Sequence, residues 1–406
     1  MQRFTARRLA PAAMLASALA LSGCVGHGGY TKQHINAAKE KMSLMKSATE
    51  WQMANQAFMA GDMKKALRGV NQSLTINEKV VKSHVLKGRI LLEMSDLEGA
   101  VASFQRAIEL EPENVDGHYY LGFAYERFSK REEALAAYRK AFELDQSNPQ
   151  YAIATAEVLI DLGRATEAEA FLVAERSRFE NNAGVRQTLG HMALIRGDQN
   201  AALELFNEAR LLAPDDTAIT EDLARVQMLT GKYAEAEYNL GRLLTGPTAS
   251  SRPDLMHMRA QCLSRLGRHG DARRLLIELS ESPAGGADPE VWISLADACM
   301  ELKDFNRLRM AATRIVAIAP ERPEGYIYRG IFERRQGRSD AAIQSLNKAL
   351  TLKRDADTLI LLALTYQSRG LRQQARAALA EAATLEPQSE ARQLLASLEQ
   401  APGTAQ

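Results

Sequence analysis

Scarcity is the first thing this chain offers. Only 3 of its 406 residues are cysteine, namely Cys24, Cys262 and Cys299. No CxxC spacing occurs among them, which excludes a zinc ribbon and a thioredoxin-like redox site. An excess of one charge is equally lacking. Lys and Arg total 51 against 50 Asp and Glu, a net charge of +1. So even a balance gives no field to draw in nucleic acid. The apolar run from Leu9 to Leu21 is 13 residues long and is broken by Pro11 and Ser17, too short to span a bilayer as a helix. Catalytic signatures are missing too: the sequence has no HExxH, no GxSxG and no GxxxxGK[ST]. Gly231-Lys232 lacks both the earlier glycine and the following Ser or Thr. His84 and His118 share a repeat position, but no carboxylate or thiol sits there with them, so packing rather than metal binding is expected. With no nucleophile–base pair in view, the chain reads as a non-enzyme with no cofactor.

What is present begins at the amino terminus. Arg3, Arg7 and Arg8 precede the short apolar run, the layout of a secretory signal. The run ends in Leu21-Ser22-Gly23-Cys24, which resembles the processing site of bacterial lipoproteins. That resemblance implies removal of residues 1–23 and lipidation of Cys24 with diacylglycerol and usually a third acyl chain. At about 0.8 kcal/mol per buried CH₂, such chains hold a protein on a bilayer almost irreversibly. Loss of the three arginines would leave 48 basic residues against 50 acidic ones. Val25 rather than Asp follows the cysteine, which in such lipoproteins usually allows sorting to the outer membrane. The glycines Gly26, Gly28 and Gly29 make residues 24–30 a flexible tether. Beyond it Thr31 can cap a leading helix over 31–46, through Ile35, Ala38, Met42 and Met45.

The remainder is periodic. The stretch Val81 to Asn114 holds two helix-period runs around a polar turn at Ser95-Asp96 and closes at Pro112. Nine further copies follow or precede it at about 34 residues, in the register 47–80, 81–114, 115–148, 149–182, 183–216, 217–250, 253–286, 289–322, 323–355 and 356–389. The eighth place always holds Gly or Ala: Ala54, Gly88, Gly122, Ala156, Gly190, Ala224, Ala260, Ala296, Gly330 and Ala363. The twentieth is Ala everywhere except at Leu308. Turn glycines recur at the fifteenth place, and Pro112, Pro214, Pro320 and Pro387 close units. This pattern resembles the tetratricopeptide repeat family. The resemblance implies an all-α, right-handed superhelical solenoid of about ten helix-turn-helix repeats. Small residues let paired helices cross closely, while Phe104, Tyr138, Leu172 and Phe206 fill the space beyond them. Residues 47–250 carry repeats one to six, 251–389 repeats seven to ten, and 390–406 a capping helix with a frayed end. Two stretches, 245–254 and 281–289, break the period as longer surface turns or as hinges. Cys262 and Cys299, in neighbouring repeats, are small core residues or an approaching pair.

In this family the leading helices line a concave groove through the second, fifth, ninth and twelfth places. Carried onto this chain, the resemblance puts Trp51, Phe58, Val85, Arg89, Tyr119, Phe123, Glu126, Ile153 and Glu157 on the inner face. Gln187, His191, Glu221 and Arg225 continue it in a more polar stretch. Aromatics there serve as peptide anchors, unless they turn aside into packing between repeats. The family's clamp for a carboxy-terminal carboxylate is absent, since Trp51, Asn55, Leu86, Asp116 and Tyr120 hold its places and only Asn55 fits. The expected partners are a protein segment in the groove and a membrane through the lipid on Cys24, with no nucleic acid. The expected role is a scaffold or adaptor in assembling an envelope complex, pilus or secretion machinery, on the outer membrane facing the periplasm. An adaptor for an envelope protease or exopolysaccharide exporter is a second reading, and an enzyme or glycan-binding protein using the groove a third.

Overall fold

The helix pairs follow from a contest between short helices and large side chains. Nine leading helices, from Val81–Glu93 to Ala356–Ser368, run 13 residues each, about 20 Å of helix. Helices this short are marginal alone and persist by burying one face. The computed structural model describes residues 29–245 and 252–400, and among these every regular element is one of 22 helices. Cys24 and the expected signal segment lie outside the described residues.

At the crossing of each pair sits the eighth residue. All ten are buried. Every aromatic twenty-fourth residue on the trailing helix faces Gly there, and Gly330 also faces Leu346, whose Cδ2 would lie 2.8 Å from an added Cβ. A Cβ on Gly88 would lie 2.4 Å from the Phe104 ring, one on Gly122 2.7 Å from Tyr138, and one on Gly190 2.9 Å from Phe206. Where the eighth place is Ala, the twenty-fourth holds Val70, Leu172, Leu240, Leu276, Ala312 or Leu379, never an aromatic. The eighth repeat trades volume within one helix: Leu308 stands in the alanine place and Ala312 in the large-residue place, one turn apart and both buried.

Every leading helix ends in a residue of positive φ at the fifteenth place. Seven are glycines, such as Gly61 at +79° and Gly197 at +82°; the others are Ser95, Ser129 and Lys303 at +56° to +63°. That left-handed residue reverses the chain at the helix end. The next residue caps the trailing helix. Asp62, Asp96, Asp198 and Asp304 each accept the backbone N–H three residues on.

The described residues form two compact units, one up to Val158 and one from Leu159 on, and the division falls inside the helix Pro149–Asp161. In the first unit one continuous helix, Gly29–Met59, joins the expected leading helix to the first repeat. The last two residues of the expected tether are therefore helical. Three buried serines tie its opening helices together: Ser73 Oγ lies 2.9 Å from Ser47 Oγ and 2.8 Å from Ser83 Oγ.

In the second unit the fourth repeat's trailing helix is short, Ala165–Ala174, and the chain turns through 175–181 with Phe179 buried. Part of the first period break, 246–251, lies outside the described residues. The second, 281–289, holds a five-residue helix, Pro283–Ala287, capped by Ser282. Its Gly286 carbonyl accepts from Trp292 Nε1 at 3.1 Å and Arg314 Nη2 at 3.1 Å, a pinned turn rather than an open loop. Cys262 and Cys299 are buried, unpaired thiols in separate core clusters, each pushed up to about 11 by burial. The helix Ala391–Gln400 closes the array, with Ala391 and Leu398 in the last core cluster. No described helix is long and apolar enough to cross a membrane.

Candidate interaction surface

The leading helices Val81–Glu93 and Val115–Arg127 of the first unit set its aromatic residues side by side. Phe58 packs half-buried against the first core cluster beside Trp51, whose Nε1 donates to the Lys82 carbonyl at 3.1 Å. The Arg89 guanidinium carbon stands 5.0 Å from the Phe58 ring centre and 4.9 Å from that of Tyr120. Tyr120 in turn stacks on buried Phe104, with centroids 5.9 Å apart. Tyr119 lies among Tyr120, Tyr138 and Tyr151, at 5.1 to 5.6 Å. Phe123 is 39% exposed with Arg127 over its ring at 5.8 Å. At such partly exposed sites each cation–ring pair contributes about 0.5–1 kcal/mol.

Carboxylates border this aromatic strip. The Tyr138 hydroxyl donates to Glu126 Oε2 at 2.9 Å, and burial followed by the Glu126 charge drives its ionisation well above the usual phenol range. Tyr119 shifts the same way, through burial first and then Tyr120, Glu157 and Glu126. Glu126 and Glu157 themselves are exposed. Two expected groove residues are not on an open surface: Val85 is 8% exposed and Ile153 9%. Val85 is in the core cluster of Leu121 and Ala124, because a short aliphatic chain at the fifth place is swallowed where a ring protrudes.

In the second unit the corresponding places spend their polarity on one another. Gln187 Nε2 donates to Asp222 Oδ2 at 2.7 Å, and His191 Nε2 reaches the same oxygen at 2.8 Å. Burial would raise the Asp222 carboxyl, but these two hydrogen bonds outweigh it and hold the group below the usual range. The His191 ring also meets Phe206 edge-on at 5.3 Å. Glu221 accepts from Arg225 at 2.5 Å and from Arg252 at 2.8 Å. These two contacts overcome its burial, so it too ionises more readily than usual. Further on, a cavity of about 600 Å³ is lined by residues including Met228, Tyr233, Gln261, Ser294 and Asp297.

Two recurrent contacts join these repeats that the expected places did not include. The sixth residue of one repeat meets the ninth of the repeat before it, 31 positions back: Tyr120 with Arg89, Asp222 with His191, and Tyr328 with Asp297 through a 2.5 Å hydrogen bond. The fourth residue bonds the carbonyl six residues behind it: His84 to Glu78 at 2.7 Å, His118 to Pro112 at 2.9 Å, Arg186 to Glu180 at 2.9 Å and Trp292 to Gly286. Accepting carbonyls make Nε2 the protonated nitrogen in both histidines. Both patterns are visible in the sequence only as a fixed spacing between unlike residues. Among the described residues no cluster of three or more His, Cys, Asp and Glu could hold a metal ion.

No curated protein matches this chain in sequence. Among solved structures, it is similar to the Cut9–Hcn1 hetero-tetramer of the APC/C at 13% identity over 88% of this chain and 97% of that one, TM-score 0.44. Pseudomonas aeruginosa pilF is similar at 18% identity over 53% and 96%, TM-score 0.45. YrrB, described as a TPR protein with an unusual peptide-binding site, is similar at 19% over 43% and 90%, TM-score 0.34. Family models for the tetratricopeptide repeat match residues 88–127, 124–181 and 329–355. These segments of the chain are tetratricopeptide repeats.

Proposed function

We propose that the protein is a lipid-anchored scaffold whose first unit captures a segment of a partner protein during assembly of an envelope complex, a pilus or secretion machine. One observation carries this reading. Phe58, Tyr119 and Phe123 stand half-buried or exposed on the first and third leading helices, and Arg89 on the second lies over the Phe58 and Tyr120 rings. Large rings left partly in water on rigid helices are inexpensive to immobilise, which suits them to be interface anchors. The second unit's leading-helix face, with Asp222 and Glu221 already engaged, is better fitted to hold shape than to grip. Anchoring rests on the Leu21-Ser22-Gly23-Cys24 sequence.

The test is a pair of variants in the native envelope. Cys24→Ala should lose palmitate labelling and leave the membrane fraction, and continued labelling would overturn the anchor. Tyr119→Ala with Phe123→Ala should lose the proteins that co-purify with the wild type from detergent-solubilised envelope, at unchanged helical content. Retention of the same proteins removes the aromatic face as the capture surface. Loss of helix instead shows that the rings serve the core.

A further inference from the structure

Arg89 differs from the other arginines of the leading-helix faces. Phe58 and Tyr120 flank its guanidinium at 5.0 and 4.9 Å. Among the described residues it has no hydrogen-bond or ion-pair partner. In the second unit Arg225 and Arg252 hold Glu221, Arg322 holds Glu290 and Glu324, and Arg329 holds Glu333, while Arg265 and Arg335 each stand over a single ring rather than two. Glu126, a carboxylate near Tyr119, accepts from the Tyr138 hydroxyl. Arg127, the next cation, gives its Nη1 to the Leu92 carbonyl at 3.2 Å.

A guanidinium with rings over it keeps only its edge for a ligand, and that edge carries the N–H fork that matches a carboxylate. The rings hold it in one orientation, so little side-chain freedom remains to be lost on binding. Phe123 occupies the ninth place on the adjacent leading helix, as Arg89 does on its own. Adjacent packed helices lie about 8–10 Å apart, and an extended chain covers that distance in roughly three residues.

We propose that Arg89 is the receptor for an acidic side chain, Asp or Glu, in an extended partner segment whose large apolar residue three positions away packs on Phe123. This assignment rests on the capture reading above and names the chemistry of what is captured.

The experiment uses the full chain in detergent and an array of synthetic peptides. Each peptide places Glu or Asp three residues from Phe or Trp, and its matched controls carry Gln or Asn, or move the apolar residue to other spacings. Acidic peptides should bind, and their amide versions should bind about tenfold or more weakly, the loss of one charge-assisted pair. Arg89→Gln should remove that preference, weakening the acidic peptides while leaving the amide ones unchanged. Arg89→Lys, which keeps charge but not the fork, should fall between them. Unchanged helical content and melting temperature in both variants exclude a folding defect, and Arg89→Lys serves alone if Arg89→Gln unfolds. Equal binding of acid and amide peptides, equal weakening of both by Arg89→Gln, or no binding of any acidic peptide overturns the assignment. Peptides that bind without acid dependence, and are lost in the Tyr119→Ala, Phe123→Ala variant, overturn it while leaving the capture reading intact.

Discussion

At the scale of single residues, the molecule is organised by pairs of volumes. Gly88 is required by Phe104, since any Cβ would sit 2.4 Å from the ring. Adding that methyl should cost about 1–3 kcal/mol by overpacking. Phe104→Leu alone should also destabilise, by leaving a void. Together they recreate the Ala–Leu pairing found at Ala260 and Leu276, so the double variant should be more stable than the summed losses allow. Urea unfolding of the three variants checks this, and strictly additive losses would show the pair to be uncoupled. The small eighth residue was legible from the sequence because it recurs at a fixed period. The reason for Gly over Ala was not, because it resides in a residue sixteen places away on the other helix. The same limit applies to Val85 and Tyr119. They share the fifth place, yet one is buried at 8% exposure and the other half-buried among rings, and only side-chain length separates them.

At the scale of the helix, the amino termini of the trailing helices are satisfied in two ways. Four carry a capping Asp. Where Lys130, Arg164, Lys232, Arg268 or Arg338 occupies the cap position, no side-chain cap bond forms, but an acid stands in the first turn. Either arrangement places negative charge against the exposed N–H groups. Arg164 and Arg268 also pair with that acid, Glu167 at 2.6 Å and Asp271 at 2.9 Å. Arg372–Leu385 has neither device: its cap residue is Leu371, with no first-turn acid. Leu371→Asp should therefore stabilise the protein by about 1 kcal/mol, read as a higher urea midpoint at unchanged slope. No change in midpoint would mean that these N–H groups are already served by water at no penalty. Helix positions were readable from apolar spacing and turn glycines. The early stop at Ala174 was not, because repeat four keeps its Gly163 and Ala168 like its siblings.

For the molecule as a whole, pH should act through two half-buried imidazoles. His84 and His257 both titrate below the ordinary 6.5, burial being the main cause in each. Their neutral forms are favoured by folding. As pH falls below about 6.5 the unfolded chain takes up protons that the fold refuses, so stability declines. The depressed carboxyls of Glu221 and Asp222 extend the decline only below their ordinary 4.5 and 3.8. Asp297, raised by burial, works in the opposite sense. The melting temperature should thus drop between pH 7.5 and 5.5, and His84→Gln with His257→Gln should flatten that slope; an equal slope in the variant would assign the decline to other groups. The ladder from sixth to ninth place is the part of this molecule least visible in sequence. Its rungs are Tyr with Arg, Asp with His, and Tyr with Asp, so no pairing of residue types recurs from rung to rung.

That ladder constrains how such a chain can evolve. Removing one whole repeat, such as 115–148, leaves every remaining helix with an intact eighth-place crossing. The fold would tolerate the deletion. Yet Arg89 would then face Ala154, the sixth residue of the following repeat, and would lose one of its two rings together with Tyr119 and Phe123. Array length is cheap to vary by recombination between similar segments, whereas the order of the repeats stores what the surface recognises. The lineage can therefore lengthen or shorten its array freely only outside the first three repeats, since Phe58 of the first supplies Arg89 with its other ring.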